Sequence, residues 1–200
     1  MEYLTNDILT KTKQYWNIHQ TKNIFHQTVS LVISQKISFA KSRRARQILY
    51  DLIKPDQEFT SKNLSKIDKS QWLKIGIAES QYASIQNLIK LDQNNYDNKE
   101  WIEQISKIKG IGPWTIKGLK IMFNIEPDLF LFEDYWIRSR MTELVSTEIK
   151  PICMSSSNAN ILSSHWKGYR TLVSLFFWRI KPEGISALKN GIPLTQDYFI

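Results

Sequence analysis

Lys109-Gly110-Ile111-Gly112-Pro113-Trp114-Thr115 is the stretch on which the reading of this chain turns. Two glycines flanking one apolar residue permit a sharp turn and leave backbone N–H groups uncovered by side chains. Pro113 suits the first position of a helix, where its missing donor costs nothing. Exposed N–H groups beside a helix N-terminus form an anion site, and a DNA phosphate is an appropriate anion. Lys107, Lys109, Lys117 and Lys120 surround the turn and add electrostatic attraction. Ile111 is expected to point inward and pin the hairpin. By itself, however, a Gly-X-Gly turn is more often a plain helix stop, so the flanking sequence has to decide.

Outward from the turn, apolar residues recur at helical spacing, and no period-2 strand pattern appears. Lys99 to Ile108 and Pro113 to Phe123 read as the two helices that the hairpin joins. Upstream, Ile24 to about Ile37 carries a broad apolar face, and Phe39 to Ile53 follows it, stopped by Pro55. Ser65 to Ile75 reads as one short helix ending at Gly76, and Glu79 to Leu91 as another. Downstream, a loop after Pro127 leads to a helix beginning near Asp134. Ser155 to Asn160 is a polar run that caps a helix, and Gly168 to Ile180 forms one stopped before Pro182. The tail after Pro182 is mixed and expected to lie on the surface. The chain is therefore all-α, with roughly ten helices and neither repeat nor long linker.

Composition narrows the partners. The 200 residues hold 27 Lys+Arg against 19 Asp+Glu, a net charge of +8 that favours polyanions. Seven Trp are more than a core needs, and flat aromatic faces suit stacked bases. Cys153 is the only cysteine, which rules out an intramolecular disulfide and any cluster of cysteine ligands to iron or zinc. The polar, acidic start does not read as a signal peptide, and no apolar run approaches a bilayer span. A soluble, intracellular protein is expected.

The longer run Lys107-Ile108-Lys109-Gly110-Ile111-Gly112-Pro113-Trp114-Thr115 resembles the helix-hairpin-helix of the base-excision DNA glycosylase superfamily. Pro127-Asp128-Leu129-Phe130 followed by Asp134-Tyr135-Trp136-Ile137-Arg138-Ser139-Arg140 is similar to that superfamily's loop and the helix carrying its essential Asp. Val32 to Ser38 resembles the family's first-lobe helix end, and Gly76 to Tyr82 a second recurring turn. Trp166-Lys167-Gly168-Tyr169-Arg170-Thr171 resembles a segment of the alkylation-repair, 3-methyladenine branch. The likeness runs from residue 24 to residue 180. It implies one domain over residues 1–200, built of two helical lobes with the active-site cleft and the DNA between them.

The resemblance assigns catalysis to Asp134. Breaking an N-glycosidic bond builds positive charge on the sugar, which an ionised carboxylate stabilises while orienting the attacking water. A helix N-terminus favours the charged form of such a group, although capping is also the commonest task of an Asp in that position. Relatives that also cut the strand carry a Lys two residues after the second glycine; here Trp114 stands there, and Lys117 should face elsewhere. The chain therefore resembles a monofunctional enzyme that leaves an intact abasic strand. The resemblance further implies a base pocket of Trp114 and Trp178, attracting cationic alkylated purines such as 3-methyladenine and 7-methylguanine. Gly118 stands where some relatives place a tyrosine, which implies a pocket that is wider or differently walled. Gln35 and Lys36 stand where relatives carry the wedge that fills the gap left by the flipped base. Phosphate binding falls to Lys109, Gly110, Ile111 and Gly112. The carbonyls of Ser106, Ile108 and Ile111 are candidates for holding Na⁺ or K⁺. No other cofactor, and no iron–sulfur cluster, is implied.

The remaining candidates read more plainly. Lys41, Arg43, Arg44 and Arg46 form a basic cluster suited to a solvated helix face or a flanking phosphate. His19, His26 and His165 are scattered, and His26 could contact the DNA backbone. Glu133 is expected to be solvated, Asp128 to tie its loop together, one of Tyr135 and Trp136 to pack in the core, and Cys153 to act as a small apolar residue. The expected partner is double-stranded DNA containing damaged bases, met by a monomer, with no membrane; the compartment is the bacterial cytoplasm or the eukaryotic nucleus. Two alternatives remain: excision of an oxidised or deaminated base, and a non-catalytic module that binds DNA damage.

Overall fold

A computed structural model describes residues 4–12, 14, 23–56, 58–94, 96–148 and 151–200. His19 and residues 1–3, on which part of the reading above rests, lie outside them. Among the described residues there are twelve α-helices and no strand, only an isolated bridge between Ile180 and Phe199. None of these helices is long and apolar enough to cross a membrane. The chain divides into two compact units, one of residues 20–125 and one joining residues 1–19 to residues 126–200.

The first of these is built on α2 (Ile24–Ser34), which buries Phe25, Val29, Val32 and Ile33. Around it in sequence are α3 (Phe39–Leu52), α4 (Ser61–Leu64), α5 (Lys69–Lys74), α6 (Glu79–Leu91), α7 (Asn98–Ile105) and α8 (Pro113–Met122). Trp101 of α7 is 2 % exposed, meets Phe25 edge to face at 5.9 Å, and donates its indole N–H to Thr28 Oγ1 at 2.9 Å. His26 is buried too. Its ring stacks on Phe59 at 4.5 Å, Nδ1 accepts the Phe59 amide at 2.9 Å, and Nε2 lies 3.2 Å from the Tyr50 hydroxyl. His26 is thus a core residue, not the DNA-backbone contact the sequence allowed.

Capping, local in one case and from a distant side chain in the other, explains two other departures. The helix expected over Ser65–Ile75 forms only from Lys69 onward, as α5, because Asp68 acts as its N-cap, with a capping box to Gln71; α4 ends before that stretch, at Leu64. α2 stops at Ser34 rather than near Ile37. There the Gln81 side chain, from α6, donates to the carbonyls of Val32 (2.8 Å), Ile33 (3.3 Å) and Gln35 (3.3 Å), satisfying groups a longer helix would have used.

The second unit comprises α1 (Asn6–Thr12), α9 (Tyr135–Val145), α10 (Ser156–Ser163), α11 (Arg170–Arg179) and α12 (Pro182–Lys189). Ile137, Met141, Val173, Phe176, Phe177 and Ile185 form its core. Trp166 reaches back to the Leu4 carbonyl at 3.3 Å. The tail after Pro182 is not a surface appendage. α11 ends at Arg179, and Pro182 is the first residue of the next helix, α12, whose Ile185, Ala187 and Leu188 are buried. Phe199 is buried as well, and Ile200 donates its amide to Arg179 O at 2.9 Å.

Candidate active site

In the unit of residues 20–125, α7 begins at a capping box between Asp97 and Glu100 and ends at Ile105. The chain then turns and re-enters a helix at Pro113. Gly110 has φ +95°, a backbone conformation that favours glycine, and a Cβ there would have to displace Ser84 Oγ. Gly112 is different. It is extended (φ −99°, ψ −177°) with nothing within 4 Å of a would-be Cβ, so its missing side chain leaves the end of α8 open to approach. The first-turn N–H groups of α8 have no acceptor within the helix. Ile111 is buried, and Lys107 and Lys109 are exposed beside it.

Two side chains brace this hairpin from outside. Ser84 Oγ donates to Lys109 O at 2.9 Å. Gln35 Nε2 donates to Gly110 O at 2.9 Å and to Thr115 Oγ1 at 3.0 Å. Gln35 is therefore bound into the hairpin, and the adjoining Lys36, exposed and at φ +57°, is the side chain this turn presents outward. Trp114 is half-buried in the first turn of α8, with the buried Gly118 one turn later. Arg46 of the basic cluster is turned onto Ser34 Oγ at 2.9 Å, and burial, with Arg43 nearby, pulls its pKa down despite the opposing effect of Tyr50. Lys41, Arg43 and Arg44 are exposed.

In the other unit, Asp134 is the N-cap of α9 and is 8 % exposed. Its Oδ1 accepts the Ile137 amide at 2.9 Å, and its Oδ2 accepts the Trp178 indole N–H at 3.1 Å. The capping bond fixes the carboxylate along the helix axis, and the indole fixes its rotation. The structure thus brings Asp134 and Trp178 together, with Trp178 as a hydrogen-bond donor to the carboxylate. The loop before Asp134 is held to α11: the Asp128 carboxylate accepts the Arg170 amide (2.9 Å) and guanidinium (3.0 Å). Burial opposes ionisation of Asp128, but these bonds and one from the Gly168 amide outweigh it and hold its carboxyl below the usual range.

The neighbours of Asp134 correct two expectations. Neither Tyr135 (65 % exposed) nor Trp136 (37 %) packs in the core, because the buried stripe of α9 runs through Ile137, Met141 and Leu144. Glu133 is half-buried rather than solvated, with Oε2 out of contact with water. The face of Trp136 is covered instead by Arg140, whose guanidinium lies 3.9 Å from the ring centre. Arg140 is itself buried, donating to Ile180 O at 3.2 Å and Glu143 Oε1 at 3.0 Å; burial lowers its pKa, only partly offset by Glu143. Cys153 is half-buried near Arg138 and Met154 O. Among the described residues no group of His, Cys, Asp and Glu could hold a metal ion.

No protein-family model matches this chain. A sequence relative is "Putative DNA-3-methyladenine glycosylase YfjP" of Bacillus subtilis, 28 % identical over 83 residues, which are 41 % of this chain and 28 % of that protein's length. This chain thus spans well under half of that relative. Among solved structures, the 3-methyladenine DNA glycosylase Mag1 of Schizosaccharomyces pombe, in complex with abasic DNA, superimposes with a TM-score of 0.65. It is 18 % identical, over 83 % of this chain and 88 % of Mag1. A DNA-3-methyladenine glycosidase of Bacillus halodurans gives 0.59 at 15 % identity, over 96 % and 92 % of the two chains. The enzyme of Archaeoglobus fulgidus gives 0.65 at 16 %, over 80 % of this chain and 58 % of its own.

This chain has the fold of the 3-methyladenine DNA glycosylases. In that fold the sequence reading missed three contacts: Gln35 bracing the hairpin, Trp178 donating to Asp134, and the hydroxyls of Thr171 and Ser174 on α11 that hold the loop before Asp134. Only the last had a signal to find, since Thr171 and Ser174 recur at the spacing of one helix face.

Proposed function

We propose that this chain is a monofunctional DNA glycosylase that hydrolyses the N-glycosidic bond of alkylated purines in double-stranded DNA, of the 3-methyladenine and 7-methylguanine type. The observation that carries this is the buried Asp134 carboxylate held by two donors, the Ile137 amide and the Trp178 indole. A carboxylate so held faces a sugar with no reorganisation as oxocarbenium charge develops. Water oxygen adds to C1′ as the bond to the purine nitrogen breaks. The bonding electron pair leaves with the base and cancels its positive charge, and the proton released by water passes to Asp134 or to solvent. An alkylated purine is a good leaving group, so no general acid is required.

In the same proposal the open end of α8 at Gly112, with Lys107 and Lys109, binds a phosphate near the lesion. Trp114 and Gly118 line the base pocket, and Lys36 enters the duplex or meets a phosphate. A Na⁺ or K⁺ ion on the carbonyls of Ser106, Ile108 and Ile111 would neutralise the same phosphate. The Ile111 amide already takes up one lone pair of Ile108 O, which leaves the other for such an ion. Trp114 offers no amine for a Schiff base, so the strand stays intact.

The test is incubation of wild type and Asp134→Asn with methylated duplex DNA, scoring free base and strand breaks separately. Wild type is expected to release base without strand breaks, and Asp134→Asn to release little. Equal release by both proteins refutes the role of Asp134, and breaks without heat or alkali refute the monofunctional assignment.

A further inference from the structure

The loop that delivers Asp134 runs alongside α11, tied to it at successive points. Asp128, in a left-handed conformation at φ +61°, takes the first turn of the helix through Arg170. The Leu129 amide donates to Thr171 Oγ1 at 2.9 Å, the Leu131 amide to Ser174 Oγ at 3.2 Å, and Asp134 Oδ2 accepts from Trp178. Loop position and helix position advance together: 129 with 171, 131 with 174, 134 with 178. The helix partners are spaced three and then four residues apart, so all three face the loop. Ser174 is fully buried, and Leu131 is too. Such a row is more than a loop needs to close a turn, and its last member is the carboxylate itself.

Resting on the glycosylase reading, the geometry points to Thr171 and Ser174 as positioning residues that set where the Asp134 carboxylate stands. They act through the backbone of Leu129 and Leu131 and touch neither the substrate nor Asp134. A buried amide that loses its acceptor seeks another, and the loop must shift to provide one. Displacements near 1 Å at a reacting group cost roughly a hundredfold in rate, so partial slackening should cost less.

Thr171→Val removes one hydroxyl at nearly constant shape, Thr171→Ser restores it without the methyl, and Ser174→Ala removes the second. Single-turnover release of 7-methylguanine and duplex affinity are measured for each, and for Thr171→Val with Ser174→Ala. The double variant is expected to release base at least about tenfold more slowly at unchanged duplex affinity, with Thr171→Ser close to wild type. Wild-type rates in the double variant, whatever its melting temperature, overturn the proposal, because the hydroxyls would then only satisfy the loop. The Trp178 indole proton resonance, assigned by its loss in Trp178→Phe, reads the position of Asp134 without substrate. It should move in the double variant, and an unmoved resonance also overturns the proposal. A wild type that releases no alkylated base refutes the glycosylase reading instead, and the indole resonance still decides the role of the hydroxyls.

Discussion

Trp178→Phe separates two roles that one side chain could play. The substitution keeps an aromatic face and deletes the indole N–H that donates to Asp134 Oδ2 at 3.1 Å. A hydrogen bond to a charged group is worth about 1.5–3 kcal/mol, which corresponds to roughly 10- to 150-fold in rate if all of it is expressed in the transition state. Trp178 is only half-buried, so water can partly replace the lost donor, and the lower end, about tenfold, is expected. Because the bond exists before any substrate binds, on the proposed glycosylase reading it would act on rate by holding the oxygen toward the sugar. The assay is single-turnover base release in a cycle of Trp178→Phe, Asp134→Asn and the double variant. If the indole works through Asp134, the Trp178→Phe effect disappears in the Asn background. A wild-type rate for Trp178→Phe, or an equal loss in both backgrounds, refutes the coupling and returns Trp178 to the role of a pocket ring alone.

Three other outcomes are expected. Gly110→Ala should destabilise the protein by at least about 1–2 kcal/mol from its left-handed backbone, more from the contact with Ser84, and weaken duplex binding; unchanged melting and binding would contradict the hairpin geometry. His26→Phe keeps the stack on Phe59 but strands a buried amide, so urea denaturation should show a loss of about 1–3 kcal/mol. Its salt dependence of DNA binding should match wild type, whereas a reduced slope would restore His26 as a backbone contact. Asp128 titrates lower in the folded protein than unfolded, so the Asp128–Arg170 contribution is complete above the ordinary Asp range near about 3.9 and fades as pH falls through the lower folded value. Asp128→Asn should therefore lower the melting temperature at pH 7 but not in strong acid, and a loss independent of pH would contradict the ionic account.

The features legible in the sequence were those whose physics is local. Asp134 could be read as the residue before a helix because its capping bond reaches only to Ile137. Gly110 and Pro113 could be placed at the hairpin because φ +95° and a first helical position are demands on single residues. The helices themselves followed from apolar spacing. Where local chemistry offered two readings, the sequence erred: Pro182 reads equally as a stop and as a first residue, and the run from Ser65 to Ile75 hid a helix start capped by Asp68.

By itself, then, the sequence determined an all-α chain, the hairpin, and a carboxylate at the head of a helix, since periodicity and capping are written within a few residues. Only the tertiary structure decided what holds these pieces. Gln35 meets Gly110 across 75 residues, Gln81 ends α2 across 49, and Trp178 reaches Asp134 across 44. A hydrogen bond between distant residues imposes no spacing on either, because any donor of suitable length that the packing brings near will serve.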